Sequence, residues 1–289
     1  MSRHVYLIIA HKVDTTLNTL LKLIDDSRND VYLHMDKKNK TFSKDELYTL
    51  QNAKLFLTKR TNITWGGYSM VRCELILFEH AFSNGPYEYY HLISGQDLPI
   101  KNQDYIHDFF TNNQGKEFLH YESDSYNDRY RIRYYHFFQE YIGRRNSGLI
   151  VKISTFVLRL QRKLQVNRNS EVNFQKGAQW ASLTNSFVRD LLKEKSNIKK
   201  IFSNTFCCDE LYKQTFALKF GYVKNLYHKE FDCNYISVSR LIDWKRGYPY
   251  VWKFKDKDEL LNSKMCFARK FDPEIDLKII QYLENHISK

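Results

Sequence analysis

The sequence predicts an α/β protein with a Rossmann-like first half and a mixed sheet. Short apolar runs alternate with segments of helical periodicity over the first hundred residues, a pattern typical of a parallel sheet covered by helices on both faces. The chain has 289 residues, and its 4 Pro and 10 Gly do not cluster into a linker. We therefore expect a single domain over 1–289, with halves at 1–115 and 116–289.

Four strands are predicted in the first half, as apolar runs at 5–10, 31–34, 55–58 and 89–93. Helices are predicted between them at 15–25 and 69–82, where apolar residues recur on one helical face. Between 116 and 183 we expect further strands and a helix. The C-terminal segment is predicted to be a helix with Pro273 in its first turn, because isoleucines and a leucine have helical spacing there.

Polar residues directly follow several of these strands. His11 follows the first strand, Asp36 the second, and Asp97 lies in a Gly and Pro turn after the fourth. Open α/β sheets bind ligands at the carboxyl ends of their strands. These three side chains are therefore candidates for a ligand site along one edge of the sheet.

The chain is strongly basic, with 45 Lys+Arg against 33 Asp+Glu and a net charge of +12. This excess favours an anionic partner such as nucleic acid, acidic lipid or a nucleotide-sugar phosphate. It is concentrated at 129–168, where Glu140 is the single acid, and apolar residues at 149–164 have helical spacing. Two interpretations of this amphipathic helix stay open: packing on the core with a solvated basic face, or contact with an anionic membrane.

The first apolar run, 5–10, is too short for a signal peptide, and no run approaches the roughly 20 apolar residues that span a bilayer. We expect a cytoplasmic protein, peripheral at the inner membrane face if the second interpretation of the helix holds. The five cysteines form neither a disulfide pattern nor a metal-ligand spacing, and we expect reduced thiols. They are Cys73, Cys207, Cys208, Cys233 and Cys266.

Short motifs spread along the chain resemble, in consistent order, those of one enzyme family. They lie at 31–38, 63–69, 94–101, 177–180, 208–211 and 269–272, with the lone Trp244 between the last two. Together they resemble the Branch glycosyltransferases, which include the core-2/I-branching β-1,6-N-acetylglucosaminyltransferases and peptide O-xylosyltransferases. The resemblance implies a GT-A-like fold, in which 1–115 binds a nucleotide sugar and 116–289 binds the acceptor and carries out catalysis.

The resemblance also implies inverting, metal-independent transfer of a sugar, with N-acetylglucosamine or xylose favoured, from a UDP-sugar to a glycan hydroxyl. Glu210 stands in a segment similar to the one that holds the family's catalytic base, and Asp209 would cap the following helix and orient its neighbour. Lys270 matches a phosphate-binding lysine, and Arg269 would add a bidentate contact. No cofactor or metal is expected.

The other site residues follow from the same resemblance. Asp36 would accept hydrogen bonds from a uracil or ribose, with His11 and Asp97 beside it on the donor side. The acceptor side would hold Trp244, Glu122, Arg129 and Trp180. A second phosphate-binding arginine of the family has no secure counterpart, and Arg246 and Lys253 are the candidates. Asp256 and Asp258 resemble a metal-binding Asp-x-Asp pair, but the flanking Lys255 and Lys257 are unsuited to a divalent cation.

Two other functions stay open from the sequence. One is a non-catalytic carbohydrate-binding protein on the same fold, since a fold does not dictate a function; the pairing of Glu210 with Lys270 argues for catalysis instead. The other is a nucleic-acid-binding protein, suggested by an aromatic content of 16% among basic residues. No binding motif supports it. The expected partners are a UDP-sugar and a glycan or lipid-linked glycan acceptor, in bacterial surface polysaccharide synthesis.

Overall fold

A computed structural model describes residues 3–123 and 130–287, which are built around a five-stranded sheet of order β3-β2-β1-β4-β6. The strands β1 (His4–Ala10), β2 (Asn29–Met35), β3 (Lys54–Leu57) and β4 (Tyr89–Ser94) are parallel. The last strand, β6 (Ala181–Thr184), is antiparallel to β4. The predicted α/β class, with a Rossmann-like half and a mixed sheet, is confirmed.

A second, three-stranded sheet joins the turn after β4 to the C-terminal part of the chain. It consists of β5 (Asp97–Pro99), β8 (Phe267–Arg269) and β7 (Arg240–Ile242), in that order. The pairing of β5 with β8 is antiparallel and sets Asp97 opposite Arg269. Two residues that are 172 positions apart are thereby brought to the same end of the main sheet.

Helices cover both faces of the main sheet. The α-helices in the described ranges are α1 (Thr15–Leu23), α2 (Tyr68–Asn84), α3 (Gln103–Asn112), α4 (Tyr130–Arg133), α5 (Gln139–Ile142), α6 (Leu149–Lys163), α7 (Asn185–Lys193), α8 (Lys195–Phe202), α9 (Tyr212–Lys219), α10 (Lys257–Asn262) and α11 (Leu277–Ile287). One face of the sheet packs against α2, α7 and α9, and the other against α1, α3 and α11.

Strand β1 shows why the sheet needs cover on both sides. All seven of its residues are buried. Val5, Leu7 and Ile9 join the core on one face, while Tyr6 and Ile8 join the core on the other. Central parallel strands are apolar on both faces because helices pack on each of them.

The structure corrects two details of the predicted second half. Pro273 is not in the first turn of the C-terminal helix: α11 begins at Leu277, and a turn around Asp272 precedes it. Between 116 and 183, β6 is the single strand of the described part, and isolated bridges at Glu117 and Phe118 take the place of a further strand. None of the described helices combines the length and apolarity that a bilayer crossing requires.

Candidate functional site

The carboxyl ends of β1, β2 and β4 lie together, as predicted. The amide of Asp36 donates to the carbonyl of Ala10 at 2.8 Å, and the amide of Gly95 donates to Ile9 at 2.9 Å. His11 therefore stands beside both strand ends. Its pKa is lowered by partial burial and by the cations Lys12 and Lys270, so Lys270 reaches the same edge from β8.

Asp36 is buried and organises the loop that follows β3. Its Oδ1 accepts from the amides of Lys38 at 3.0 Å and Ile63 at 3.4 Å. Within the described ranges no hydrogen bond of its Oδ2 is found. That oxygen is therefore the one that could accept a hydrogen bond from a ligand at the sheet edge.

The carboxylate of Asp97 is engaged inside the protein. Its Oδ2 accepts from the amide of Ser94 at 2.9 Å, and its Oδ1 accepts from Nη1 of Arg269 at 2.7 Å. Burial raises the pKa of Asp97, and Arg269 opposes that shift. The Arg269 guanidinium also lies 4.6 Å from the ring centroid of Trp180. Asp97 and Trp180 thus fix the position of Arg269.

Lys270 stands in a group of four cations, which we call the cationic cluster: Lys12, Arg144, Arg269 and Lys270. Partial burial lowers the pKa of Lys270, the three neighbouring cations lower it further, and Asp272 opposes the shift. Lys12 also pairs with Asp14 at 3.2 Å and with Asp272 at 3.7 Å. Its main chain is held by the fully buried Trp252, whose amide donates to the Lys270 carbonyl at 3.0 Å. A concentration of positive charge around a half-buried lysine is suited to binding an anion.

Arg144 was missed by the sequence analysis. It lies in the basic stretch at 129–168, and its guanidinium stands 5.4 Å from the ring centroid of Trp65. Trp65 belongs to the Gly-containing turn before α2, where Gly66 has a φ of +72°. The basic stretch was visible in the sequence, but no local pattern singled out Arg144 within it.

Arg246, a candidate for the second phosphate-binding residue, is bound to three carboxylates. It pairs with Asp243, with Asp256 at 3.0 Å and with Glu259 at 2.9 Å. Lys253, the other candidate, is exposed. Because Asp256 is committed to Arg246, the Asp-x-Asp segment forms an internal ion pair. Among the residues that the structure describes, no group of three or more His, Cys, Asp or Glu side chains is placed to hold a metal ion.

Glu210 ends a short 3₁₀ turn, Cys208–Glu210, just before α9. Its side chain is about one-third exposed, and its Oε2 lies 2.7 Å from Nη1 of Arg131 and 4.0 Å from Nζ of Lys176. Arg131 was missed by the sequence analysis. It reaches Glu210 from α4, across a separation of 79 residues.

Three predicted residues converge around Tyr235, which was not predicted. Burial raises the pKa of Tyr235, and the nearby carboxylates of Glu122 and Glu210 raise it further. The Tyr235 ring lies 6.1 Å from that of Trp244, whose side chain is 45% exposed. Glu122 is held by Lys176 at 3.2 Å. Arg129, also predicted on the acceptor side, lies outside the described residues. Trp180, the fourth residue predicted there, packs instead on Arg269, a residue predicted on the donor side.

The segment at 176–180 runs from the neighbourhood of Glu210 to that of Arg269. Lys176 approaches Glu210 at one end, and Trp180 packs on Arg269 at the other. The amide of Gly177 donates to the Glu210 carbonyl at 2.9 Å, and a Cβ at this glycine would lie 1.7 Å from the carbonyl oxygen of His120. Since five residues span at most about 18 Å, this segment limits the separation between its contacts with Glu210 and Arg269.

A buried ionic network lies behind Glu210. Lys213 Nζ and Glu74 Oε2 are 2.6 Å apart and both side chains are fully buried. Tyr212 and Gln179 donate to the same carboxylate at 2.6 Å and 2.9 Å. This network fixes the first turn of α9 onto α2.

Asp209 is not the predicted helix cap. The helix α9 begins at Tyr212 after Leu211, with no side-chain cap, because the 3₁₀ turn separates Asp209 from it. Burial, Glu210 and Glu74 together raise the pKa of Asp209 to about 7. Its neighbour in the network, Lys213, donates instead to the Asp209 carbonyl at 3.1 Å.

Comparisons with known proteins agree with the motifs. Residues 5–263 match the family model described as Core-2/I-Branching enzyme. A Drosophila melanogaster protein named Xylosyltransferase oxt is 24% identical over 299 residues, and its Drosophila pseudoobscura pseudoobscura counterpart is 24% identical over 294 residues. Each alignment covers 93% of this chain, but the chain spans only 31% of the length of these relatives.

Two solved structures show weaker likeness. Mouse xyloside xylosyltransferase 1 in its apo form has 10% identity and a TM-score of 0.38, with 93% of this chain and 97% of that chain covered. The apo form of the glycosyltransferase GlyE of Streptococcus pneumoniae TIGR4 has 9% identity and a TM-score of 0.34, with 76% and 43% covered.

Proposed function

Because this chain belongs to the Core-2/I-branching enzyme family, we propose that it is an inverting, metal-independent glycosyltransferase acting on a UDP-sugar donor and a glycan hydroxyl. The observation that most supports this proposal is that the segment 176–180 contacts both Glu210 and Arg269. A carboxylate suited to act as a base and a cluster suited to bind a diphosphate thus border one site. In this proposal 1–115 binds the nucleotide, and 116–289 binds the acceptor, carries Glu210 and supplies Arg144, Arg269 and Lys270 to the diphosphate.

In this proposal Glu210 is the catalytic base. Arg131 and Lys176 hold its Oε2, which leaves Oε1 to accept the proton of the acceptor hydroxyl. The hydroxyl oxygen forms a bond to the anomeric carbon as the bond to the UDP oxygen breaks on the opposite side. The configuration is inverted, and the proton ends on Glu210.

Trp244, Tyr235 and Glu122 form the acceptor side. The exposed face of Trp244 can pack on the C–H surface of a sugar ring. Glu122, fixed by Lys176, can accept a hydrogen bond from a sugar hydroxyl. These contacts orient the acceptor oxygen toward Glu210, and orientation of this kind contributes substantially to catalysis.

The cationic cluster stabilises the leaving diphosphate in place of a metal ion. Lys270 is half-buried and lies among Lys12, Arg144 and Arg269, so negative charge that develops on the UDP meets fixed positive charge. In this proposal Arg144 is the second phosphate-binding residue, a role for which the sequence analysis had offered Arg246 and Lys253. Asp36 binds the uridine through Oδ2, with His11 beside it.

Transfer is expected to continue in excess EDTA, within about twofold of the untreated rate, because the cations of the cluster supply the charge that a metal would otherwise bring. The measurement is UDP release after dialysis against EDTA and again after addition of Mn²⁺. Complete loss of activity that Mn²⁺ restores would contradict metal independence and would make Asp256 and Asp258 candidates for metal ligands.

Lys270→Met is expected to weaken binding of UDP by roughly 10- to 100-fold, since a charged hydrogen bond contributes about 1.5–3 kcal/mol. Lys199→Met is the matched control: it removes an exposed lysine of α8 and should leave the affinity unchanged. Titration calorimetry with UDP measures both. Equal affinities of the two variants for UDP would show that Lys270 does not bind the donor.

N-acetylglucosamine and xylose are the favoured sugars, and the names of the Drosophila relatives support including xylose. The acceptor in this proposal is a glycan of a bacterial surface polysaccharide, free or carried on a lipid. A panel of UDP-sugars, read by UDP release with and without oligosaccharide acceptors, tests the donor and the reaction class together. Saturable binding without UDP release from any donor would indicate a carbohydrate-binding protein instead.

A further inference from the structure

The helix α6 carries an apolar stripe that the described part of the chain does not cover. Leu149, Ile153, Phe156 and Leu160 are 75%, 42%, 66% and 44% exposed, and Leu164, just past the end of the helix, is 67% exposed. At about 100° per residue these five side chains fall within an arc of about 80°. They form one continuous stripe along the helix.

The same helix is attached to the protein through a different face. Gln161 is buried, and its side chain accepts from the amide of Tyr135 at 2.7 Å and donates to the Tyr135 carbonyl at 3.0 Å. Gln161 lies about 100° around the helix from the centre of the stripe. The first of the two interpretations, packing of this apolar face on the core, is therefore not observed, because Gln161 turns the stripe outward.

Three exposed cations, Lys152, Arg159 and Lys163, line the flank of the stripe opposite Gln161. The helix contains no Asp or Glu. A stripe of large apolar residues with a basic flank is complementary to a membrane whose interior is apolar and whose surface is anionic. A second copy of α6 is a poor match, since two such helices would bring six cations together.

We propose that α6 binds reversibly to membranes that contain anionic lipids. The helix lies along the membrane surface, with the stripe in the boundary between head groups and acyl chains and the three cations among the head groups. Each basic residue near an anionic surface strengthens binding by about fivefold. The three together are expected to contribute on the order of 100-fold, and less as salt increases.

The position of α6 gives this contact a consequence for the site. The chain that leads into α6 carries Arg131, which bonds to Glu210, and Arg144, which stands near Lys270. Through Gln161 and Tyr135, α6 packs on that same chain. Membrane binding would therefore hold both ends of the candidate site close to acceptors on lipid carriers. The binding itself goes beyond the proposed function and does not depend on it.

Co-sedimentation with liposomes tests the proposal, using phosphatidylcholine alone and phosphatidylcholine mixed with phosphatidylglycerol. The wild type should bind the mixed liposomes and be released by salt. The charge variant K152Q/R159Q/K163Q should lose on the order of 100-fold in binding, and the stripe variant L149S/F156S/L164S should lose binding with its charge intact. The matched control, K199Q/K224Q/K229Q, removes three exposed cations elsewhere and should bind like the wild type.

The circular dichroism spectrum and the rate of transfer to a soluble acceptor should be unchanged in the α6 variants. These two measurements separate a loss of membrane binding from misfolding or loss of catalysis. Equal partitioning of the wild type and the charge variant would overturn the proposal. The proposal would also be overturned if the wild type bound neither kind of liposome and formed a dimer that the stripe substitutions dissociate. The stripe would then be an interface between two copies of the chain. A control variant that loses binding as strongly as the charge variant would also overturn it, since net charge alone would explain the effect.

Discussion

Glu210→Gln is expected to lower turnover by about 100-fold or more while the affinity for UDP-sugar stays nearly unchanged. The amide has the size of the carboxylate but cannot take the proton of the acceptor hydroxyl, and positioned general bases contribute about 10²–10⁴-fold. Glu210 lies on the acceptor side, by Tyr235, so the donor contacts at Lys270 should remain. Steady-state rates of UDP release, with calorimetric binding of the donor, separate the two effects.

Glu171→Gln provides the control, because Glu171 is exposed and outside the site, and its turnover should equal that of the wild type. Near-wild-type turnover of Glu210→Gln would eliminate Glu210 as the base. An equal loss of donor affinity and turnover would point instead to a structural role, through the pairs with Arg131 and Lys176.

The sequence predicted the parts of this molecule that depend on short-range pattern. Strands β1, β2 and β4 follow from apolar runs that are buried on both faces, and the placement of His11 and Asp36 follows from their position after β1 and β2. In contrast, Arg131 lies in a helix of four residues, Tyr235 begins a short 3₁₀ helix and Arg144 lies in a turn. Their contacts span long separations in sequence, and no periodicity marks them.

The helix α6 shows a second limit of sequence reasoning. Its apolar spacing was correctly interpreted as an amphipathic helix. Spacing alone could not decide what the apolar face contacts, since a helix packed on a core and a helix on a membrane share the same period. A single tertiary contact, from Gln161 to the main chain of Tyr135, determines the direction of the stripe.

Lys213→Met is expected to reduce the free energy of unfolding by about 3–5 kcal/mol, because removing one partner of a buried ion pair leaves the other charge uncompensated. The pair with Glu74 is fully buried, at 2.6 Å. Loss of Lys213 would also release the carbonyl of Asp209, to which it donates, next to the proposed base. Urea unfolding measures the stability change, and a lower rate of transfer should accompany it.

Two further variants make this prediction specific. The double variant Glu74→Gln with Lys213→Met should recover much of the loss, because the remaining amide carries no charge and keeps hydrogen bonds with Tyr212 and Gln179. Lys195→Met, which breaks an exposed pair with Glu79 on the same helix α2, should change stability by less than about 1 kcal/mol. If Lys213→Met were as mild as Lys195→Met, the buried network would not hold α9 in place. The position of Glu210 would then depend on the 3₁₀ turn and on its bonds to Arg131 and Gly177.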